Sequence, residues 1–211
     1  MTIDIRPATP SDAPQILGFI TELADYERAR HEVIASVADI ERSLFSEGAT
    51  AHGLICLRDG LPIGFAVFFF SYSTWLGSNC LYLEDLYITP EQRGGGAGKT
   101  LLRHLAKIAC ANDCGRFEWS VLDWNKPAIE FYKSLGAQPQ EEWVRYRTEY
   151  TLIRGDGRRE PGISAKNGDT HRAGSLECET LGIEAGEGGG ARERWTPQVD
   201  MSQYVGDQIT Y

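Results

Sequence analysis

The segment Gln92-Arg93-Gly94-Gly95-Gly96-Ala97-Gly98-Lys99-Thr100 gathers four glycines, two cations and a hydroxyl between an apolar run and a stretch of helical periodicity. At a helix start the first N–H groups have no partner within the helix, and the aligned peptide dipoles add partial positive charge. Glycines let an anion reach those amides without meeting a Cβ, so the segment is suited to a phosphate or pyrophosphate. Just upstream, Glu84-Asp85 breaks the apolar run around Leu81, Leu83 and Leu86. Successive strand residues face opposite ways, so the two carboxylates can serve one pocket only if a bulge intervenes. Tyr26, Glu27, Trp75, Glu141, Glu142 and Trp143 add carboxylates and aromatic faces suited to an alkylammonium chain.

The elements that must position these residues follow from periodicity. Residues 3–7 alternate as a short edge strand. Thr9-Pro10-Ser11-Asp12 then opens a helix, with Thr9 as N-cap, proline at the first helical position and Asp12 closing a capping box. Ile16, Leu17, Ile20, Leu23 and Ala24 recur at spacings of three and four, which predicts a helix to about Arg28 with one buried face. Ser36 and Asp39 repeat the box ahead of Val37, Ile40, Leu44 and Phe45. The period then shortens: a hairpin over 54–57 and 61–70 turns at Asp59-Gly60, and a strand over 80–88 ends at Thr89-Pro90. After the glycine loop come a helix over 98–112, a strand over 116–122, a helix from Asn125-Lys126-Pro127 stopped by Gly136, and a strand over 143–153. Strand, loop, helix and strand predict a βαβ crossover. The class is α+β, with a mixed, mostly antiparallel central sheet flanked by helices.

Two phosphate-binding patterns fit the loop. Gly98-Lys99-Thr100 matches the end of the nucleoside-triphosphate loop G-x-x-x-x-G-K-[ST], but Arg93 holds the place of its first glycine. Such loops usually follow the first strand of a parallel sheet, whereas two helices and a hairpin come first here. Arg93-x-x-Gly96-x-Gly98 is instead the [Q/R]-x-x-G-x-[G/A] signature, and with this order of elements the sequence resembles the GNAT acetyltransferase superfamily over about residues 3–153. Ile5-Arg6-Pro7-Ala8, Glu22-Leu23-Ala24-Asp25-Tyr26-Glu27, Leu81-Tyr82-Leu83-Glu84-Asp85-Leu86, Trp124-Asn125-Lys126-Pro127-Ala128-Ile129 and Phe131-Tyr132-Lys133 are similar to its spermidine/spermine and thialysine N-acetyltransferase branch.

The resemblance implies acetyl transfer from acetyl-CoA to a primary amine of a small polyamine, diamine or lysine-like substrate, without a metal. It makes Gly94, Gly95, Gly96, Ala97 and Gly98 the pyrophosphate cradle, with Arg93 and Lys99 as cations beside it. Asn125 and the strand residues Leu86 and Ile88 complete the cofactor contacts that it implies. A primary ammonium has a pKa of about 10.4, so roughly one molecule in a thousand is nucleophilic at neutral pH without a base. The resemblance gives that role to Glu84, acting through water, and gives protonation of the departing thiolate to Tyr132. It also implies a bulge near Glu84, whose leucine neighbours suggest burial. Tyr26, Glu27, Trp75, Asp85, Glu142 and Trp143 are the residues expected at the amine, although Ser73 stands where the branch carries an acidic partner. A homodimer is implied by family alone. The rivals are a sensor that binds acyl-CoA without turnover and a nucleoside triphosphatase.

Composition bounds the rest. No stretch approaches the roughly 18 apolar residues of a membrane span, and the first residues lack signal-peptide order, so a cytoplasmic location is expected. A net charge of −9 argues against nucleic acid and anionic membranes as partners and is compatible with a cationic substrate. Five cysteines without a C-x-x-C pair read as reduced, mostly buried thiols, and His31, His52, His104 and His171 form no metal-spaced set. Residues 155–211 hold eleven glycines and only seven Leu, Ile, Val or Phe, without periodicity. Such a segment buries too little apolar surface to order itself, so the domain is expected over 1–154 with a disordered tail over 155–211.

Overall fold

The computed structural model describes residues 2–145. Strands β1 (Ile3–Pro7), β2 (Ala51–Arg58), β3 (Leu61–Ser73), β4 (Ser78–Ile88) and β5 (Phe117–Trp119) form one sheet in sequence order. Helices α1 (Ala13–Tyr26) and α2 (Val37–Phe45) separate β1 from β2, α3 (Ala97–Ala111) joins β4 to β5, and α4 (Lys126–Ser134) follows. All neighbours are antiparallel except β4 and β5, which run parallel, as a βαβ crossover requires. The chain divides into two units at Asn125/Lys126, so α4 and the residues after it are described by themselves.

Both faces of the sheet are covered, which explains the unbroken apolar stretches of β2 and β3. Leu54, Ile55 and Cys56 are consecutive and wholly buried. On one face Phe65 and Tyr87 join Ala13, Ile16 and Phe19 of α1 and Ile40 of α2, with the Phe19 and Phe65 rings stacked at 5.8 Å. Leu101, Leu105 and Ile108 of α3 are fully buried, and α3 packs against β4 and β1. Among the described residues no helix is long and apolar enough to cross a membrane.

The boundaries refine the expectations. Pro10–Asp12 forms one 3-10 turn before α1, and α1 stops at Tyr26 rather than Arg28, whose backbone is left-handed at φ 60°. Asp12 closes the turn by accepting from the Thr9 N–H at 2.7 Å. It also takes a forked pair of bonds from Arg6 Nη1 and Nη2 at 2.7 and 2.8 Å. The Ser36–Asp39 box forms as expected, with the Ser36 N–H 2.9 Å from Asp39 Oδ2 and the Asp39 N–H 3.3 Å from Ser36 Oγ. β5 is shorter than expected, at three residues. Trp143, Val144 and Arg145 lie in no strand, and the remainder of the strand anticipated over 143–153 lies outside the described residues, as do the tail, its boundary at 154, His171 and Cys178. Cys56 and Cys80 are buried, but Cys110 is exposed on the outer side of α3, so the expected packing fails there.

The Arg6 fork, ahead of burial and the Thr9 bonds, holds the Asp12 carboxyl down at about 2. Its folded value lies below its unfolded one, so the stability it adds is present above about pH 4 and lost as pH falls through about 2. Asp12→Ala should therefore lower stability by about 1–2 kcal/mol at pH 7, the half-exposed Arg6 being partly screened. Urea unfolding should show the difference shrinking towards pH 2.

Candidate active site

The glycine loop lies between the end of β4 and the start of α3. Gly96, the N-cap of α3, sits at φ 83°, a left-handed backbone that a Cβ disfavours. It offers no side chain to the helix start. The first bond back along α3 is made by the Thr100 N–H to Gly96 O at 2.9 Å, so the N–H groups of Ala97, Gly98 and Lys99 precede it. Gly94, Gly95, Gly96 and Lys99 are exposed. Exposed amides ahead of a helix start are the arrangement suited to an anion.

Two arginines frame it, and only one was visible in the motif. Arg93 donates Nε to Ile88 O at 2.8 Å, and its guanidinium carbon stands 5.2 Å from the Tyr26 ring centre and 5.4 Å from that of Tyr87. Its plane is thus held against two aromatic faces and a carbonyl rather than left to swing over the loop. Arg58, from the end of β2, reaches the other side of the loop. Its Nη1 donates to Gln92 Oε1 at 2.5 Å, and a Cβ added to Gly95 would come within 2.6 Å of its Nη2. Spacing along the chain could not find Arg58, since 34 residues separate it from Gln92.

The carboxylates depend on a bulge. Phe68 pairs with Leu83 but Val67 pairs with Asp85, which leaves Glu84 as an extra residue in β4. Val67 and Tyr87 both pack on the α1 side, and Asp85 shares that face by register. The expected opposition of Glu84 and Asp85 is thereby removed. Burial above all, then the charges of Glu84 and of Glu27 one residue past α1, pushes the Asp85 carboxyl up to about 6. Burial raises Glu27 as well. Glu84 itself is exposed, contrary to the burial suggested by its leucine neighbours, because the bulge lifts it out of the ladder.

The bulge also sets which way the backbone of β4 faces. Among the described residues β5 pairs only with Leu81, Tyr82 and Leu83, and beyond Leu83 the strand has β3 on one edge and no strand on the other. The Thr89 N–H donates to Ile63 O at 2.9 Å, so two-residue alternation turns the peptide groups of Leu86 and Ile88 to the open edge. Those are the strand positions expected to contact a pantetheine chain.

The remaining candidates scatter. Tyr26 donates its hydroxyl to Asn125 Oδ1 at 2.9 Å and packs on Trp124, with ring centres 5.9 Å apart. Asn125 is buried at 8% exposure. Trp75, 79% exposed, sits in the turn beyond Ser73↔Ser78, roughly 20 Å along the strand from Glu84. Within one chain Trp75 is therefore not brought to the carboxylates. Tyr132 lies half-buried on α4 with its ring 5.5 Å from that of Phe131. Glu141, Glu142 and Trp143 are exposed after α4. Among the described residues no three His, Cys, Asp or Glu side chains are grouped to hold a metal.

An anion cradle at the head of a βαβ crossover, beside a bulged and half-unpaired strand, defines the frame of an acyl-transferring enzyme. The Acetyltransferase (GNAT) family model matches residues 17–137, and the chain belongs to that family of acetyltransferases. Thialysine N-epsilon-acetyltransferase of Mus musculus is 37% identical over 161 residues, covering 71% of this chain and 94% of that one. Spermidine/spermine N(1)-acetyltransferase-like protein 1 of Homo sapiens is 35% identical over 153 residues, covering 68% of this chain and 22% of that one. An integron cassette protein from the mobile metagenome of V. cholerae aligns in structure at TM-score 0.60 and 29% identity, covering 74% and 95% of the two chains.

The ionised form of Asp85 works against folded stability. Its folded value lies above its unfolded one, so the stability it contributes is complete below about pH 4 and lost as pH rises through about 6. Asp85→Asn should accordingly raise stability at pH 7 by about 1–3 kcal/mol, with the gain vanishing near pH 4 in denaturant titrations.

Proposed function

We propose that this acetyltransferase moves the acetyl group of acetyl-CoA to a primary amine of a small polyamine, diamine or lysine-like compound. One observation carries the reading: the glycine loop adjoins a strand edge that no neighbouring strand covers among the described residues, and the bulge on that strand presents two carboxylates together. The amides at 94–98 are suited to the pyrophosphate, Lys99 and Arg93 add positive charge around it, and Leu86, Ile88 and Asn125 are assigned the rest of the cofactor. When bound, acetyl-CoA supplies the activated thioester. The remaining work is proton management by the chain.

Glu84 is assigned the base. Its exposure on the bulge leaves room for a water through which it can remove the proton. Asp85 and Glu27 are assigned to the substrate's cationic groups, since their raised carboxyls gain most from a positive partner. Tyr26, Trp75, Glu142 and Trp143 are assigned to the same substrate. Tyr132 is assigned the acid, on its place in the Phe-Tyr-Lys motif, and would return a proton to the departing thiolate. The antiparallel surroundings of the loop and the arginine at position 93 weigh against nucleoside triphosphate. The proposed assembly is a cytoplasmic homodimer with its catalytic domain over 1–154, acting on small molecules rather than nucleic acid or membranes.

A panel of spermidine, putrescine, thialysine and lysine with acetyl-CoA tests the reading. Acetylation of at least one primary amine is expected. Coenzyme A binding without turnover of any amine would favour a sensor, and magnesium-dependent ATP binding would overturn both. Tyr132→Phe should lower kcat about 10- to 100-fold with acetyl-CoA affinity near that of the wild type, and an unchanged rate would remove the tyrosine from the mechanism. The KM for the amine should rise as pH falls through about 6, where Asp85 takes up its proton, and Asp85→Asn should flatten that rise.

A further inference from the structure

The glycine that the signature does not require points to a residue that it does not contain. In Arg93-x-x-Gly96-x-Gly98 the place of Gly95 is unconstrained, and Gly95, unlike Gly94 and Gly96, has no positive φ that would demand glycine. What it has is a neighbour. A Cβ there would stand 2.6 Å from Arg58 Nη2 and 3.4 Å from its Cζ, closer than side-chain carbons and guanidinium atoms pack. Gln92 tethers the guanidinium, its Oε1 accepting from Nη1 at 2.5 Å and its carbonyl O lying 3.4 Å from Nη2, so a Cβ at position 95 would push the arginine off that tether. Its Nε is buried without a hydrogen-bond partner. A buried donor left unpaired is unfavourable by about 1–3 kcal/mol, which argues that the guanidinium is kept here for a reason other than its own satisfaction.

We infer that Arg58 is a positioning residue for the anion cradle: from the end of β2 it clamps Gln92 and lies against Gly95, so that the amides ahead of Thr100 stay aimed at the pyrophosphate. Arg93 is turned away to Tyr26, Tyr87 and Ile88 O, so Arg58 is the arginine whose guanidinium lies against the loop glycines. The inference rests on the acetyl-CoA reading above. It goes beyond that reading in giving β2, on the far side of β3 from β4, a part in cofactor binding.

Calorimetric titration with coenzyme A and with 3′-dephospho-coenzyme A tests it, since the two share the pyrophosphate and differ in the ribose phosphate. Arg58→Gln should weaken both about 10- to 100-fold and alike, while leaving the thermal midpoint of the free protein nearly unchanged. Gly95→Ala should weaken both as well, by displacing the guanidinium. The double variant Arg58→Gln/Gly95→Ala should bind no worse than Arg58→Gln alone, because the clash has been removed with the arginine. Additive losses would mean that the Cβ blocks the anion itself, and the positioning role would fall. Loss confined to coenzyme A would make Arg58 a ribose-phosphate contact and also overturn it, as would unchanged binding of both. A wild-type chain that bound neither compound would remove the acetyl-CoA reading and the inference together, whereas binding by the wild type and by Arg58→Gln alike would remove the inference only.

Discussion

Strand β4 is paired on both edges only as far as Leu83, and the site depends on that limit. Its first half is an ordinary interior strand, fixed by β3 and β5. Its second half has lost β5, and the peptide groups of Leu86 and Ile88 face outward, where Arg93 Nε takes the Ile88 carbonyl. Unpaired strand backbone normally seeks another strand. Here the chain turns at Thr89-Pro90 into the glycine loop, so the open edge leads directly to the amides at the start of α3.

The bulge at Glu84 does two jobs with one extra residue. It shifts the alternation of β4, which sends the peptide groups of Leu86 and Ile88 to the free edge. It also brings Glu84 and Asp85 to one side, where Glu27 at the end of α1 completes a group of three carboxylates. Burial above all, and then repulsion within this group, pushes the Asp85 carboxyl up. Under the proposed function, a cationic substrate would relieve the repulsion, and the net charge of −9 would favour its approach.

Tyr26 ties the two halves of this machinery together. Its ring meets Arg93 at the glycine loop and Trp124 after β5, its hydroxyl reaches Asn125, and its neighbour Glu27 belongs to the carboxylate group. The arginine of the signature is thus a clasp between α1 and the loop. A second arginine, Arg58 at the end of β2, holds Gln92 and lies against Gly95.

Local chemistry determined a great deal of this from sequence. The capping residues Thr9, Asp12, Ser36 and Asp39 and the heptad-like spacing of α1 and α3 act within a few residues, so their outcome can be read without a fold. The glycine loop was legible for the same reason: its amides, its glycines and the helix that follows form one contiguous piece. The tertiary structure decided what no contiguous piece contains. The pairing of Val67 with Asp85 exposes Glu84 and turns its half-buried neighbour to the α1 face, since register depends on two strands at once. The aromatic rings of Tyr26 and Tyr87 turn Arg93 aside, and Arg58 arrives at Gly95 only because β2 ends beside the loop. Trp75 and Glu84, both plausible partners of one amine by residue type, stand at different places on the same strand pair. Side-chain types state what chemistry is available; which of them meet is settled by sheet register and by the packing of α1, and neither is written in any one stretch of the chain.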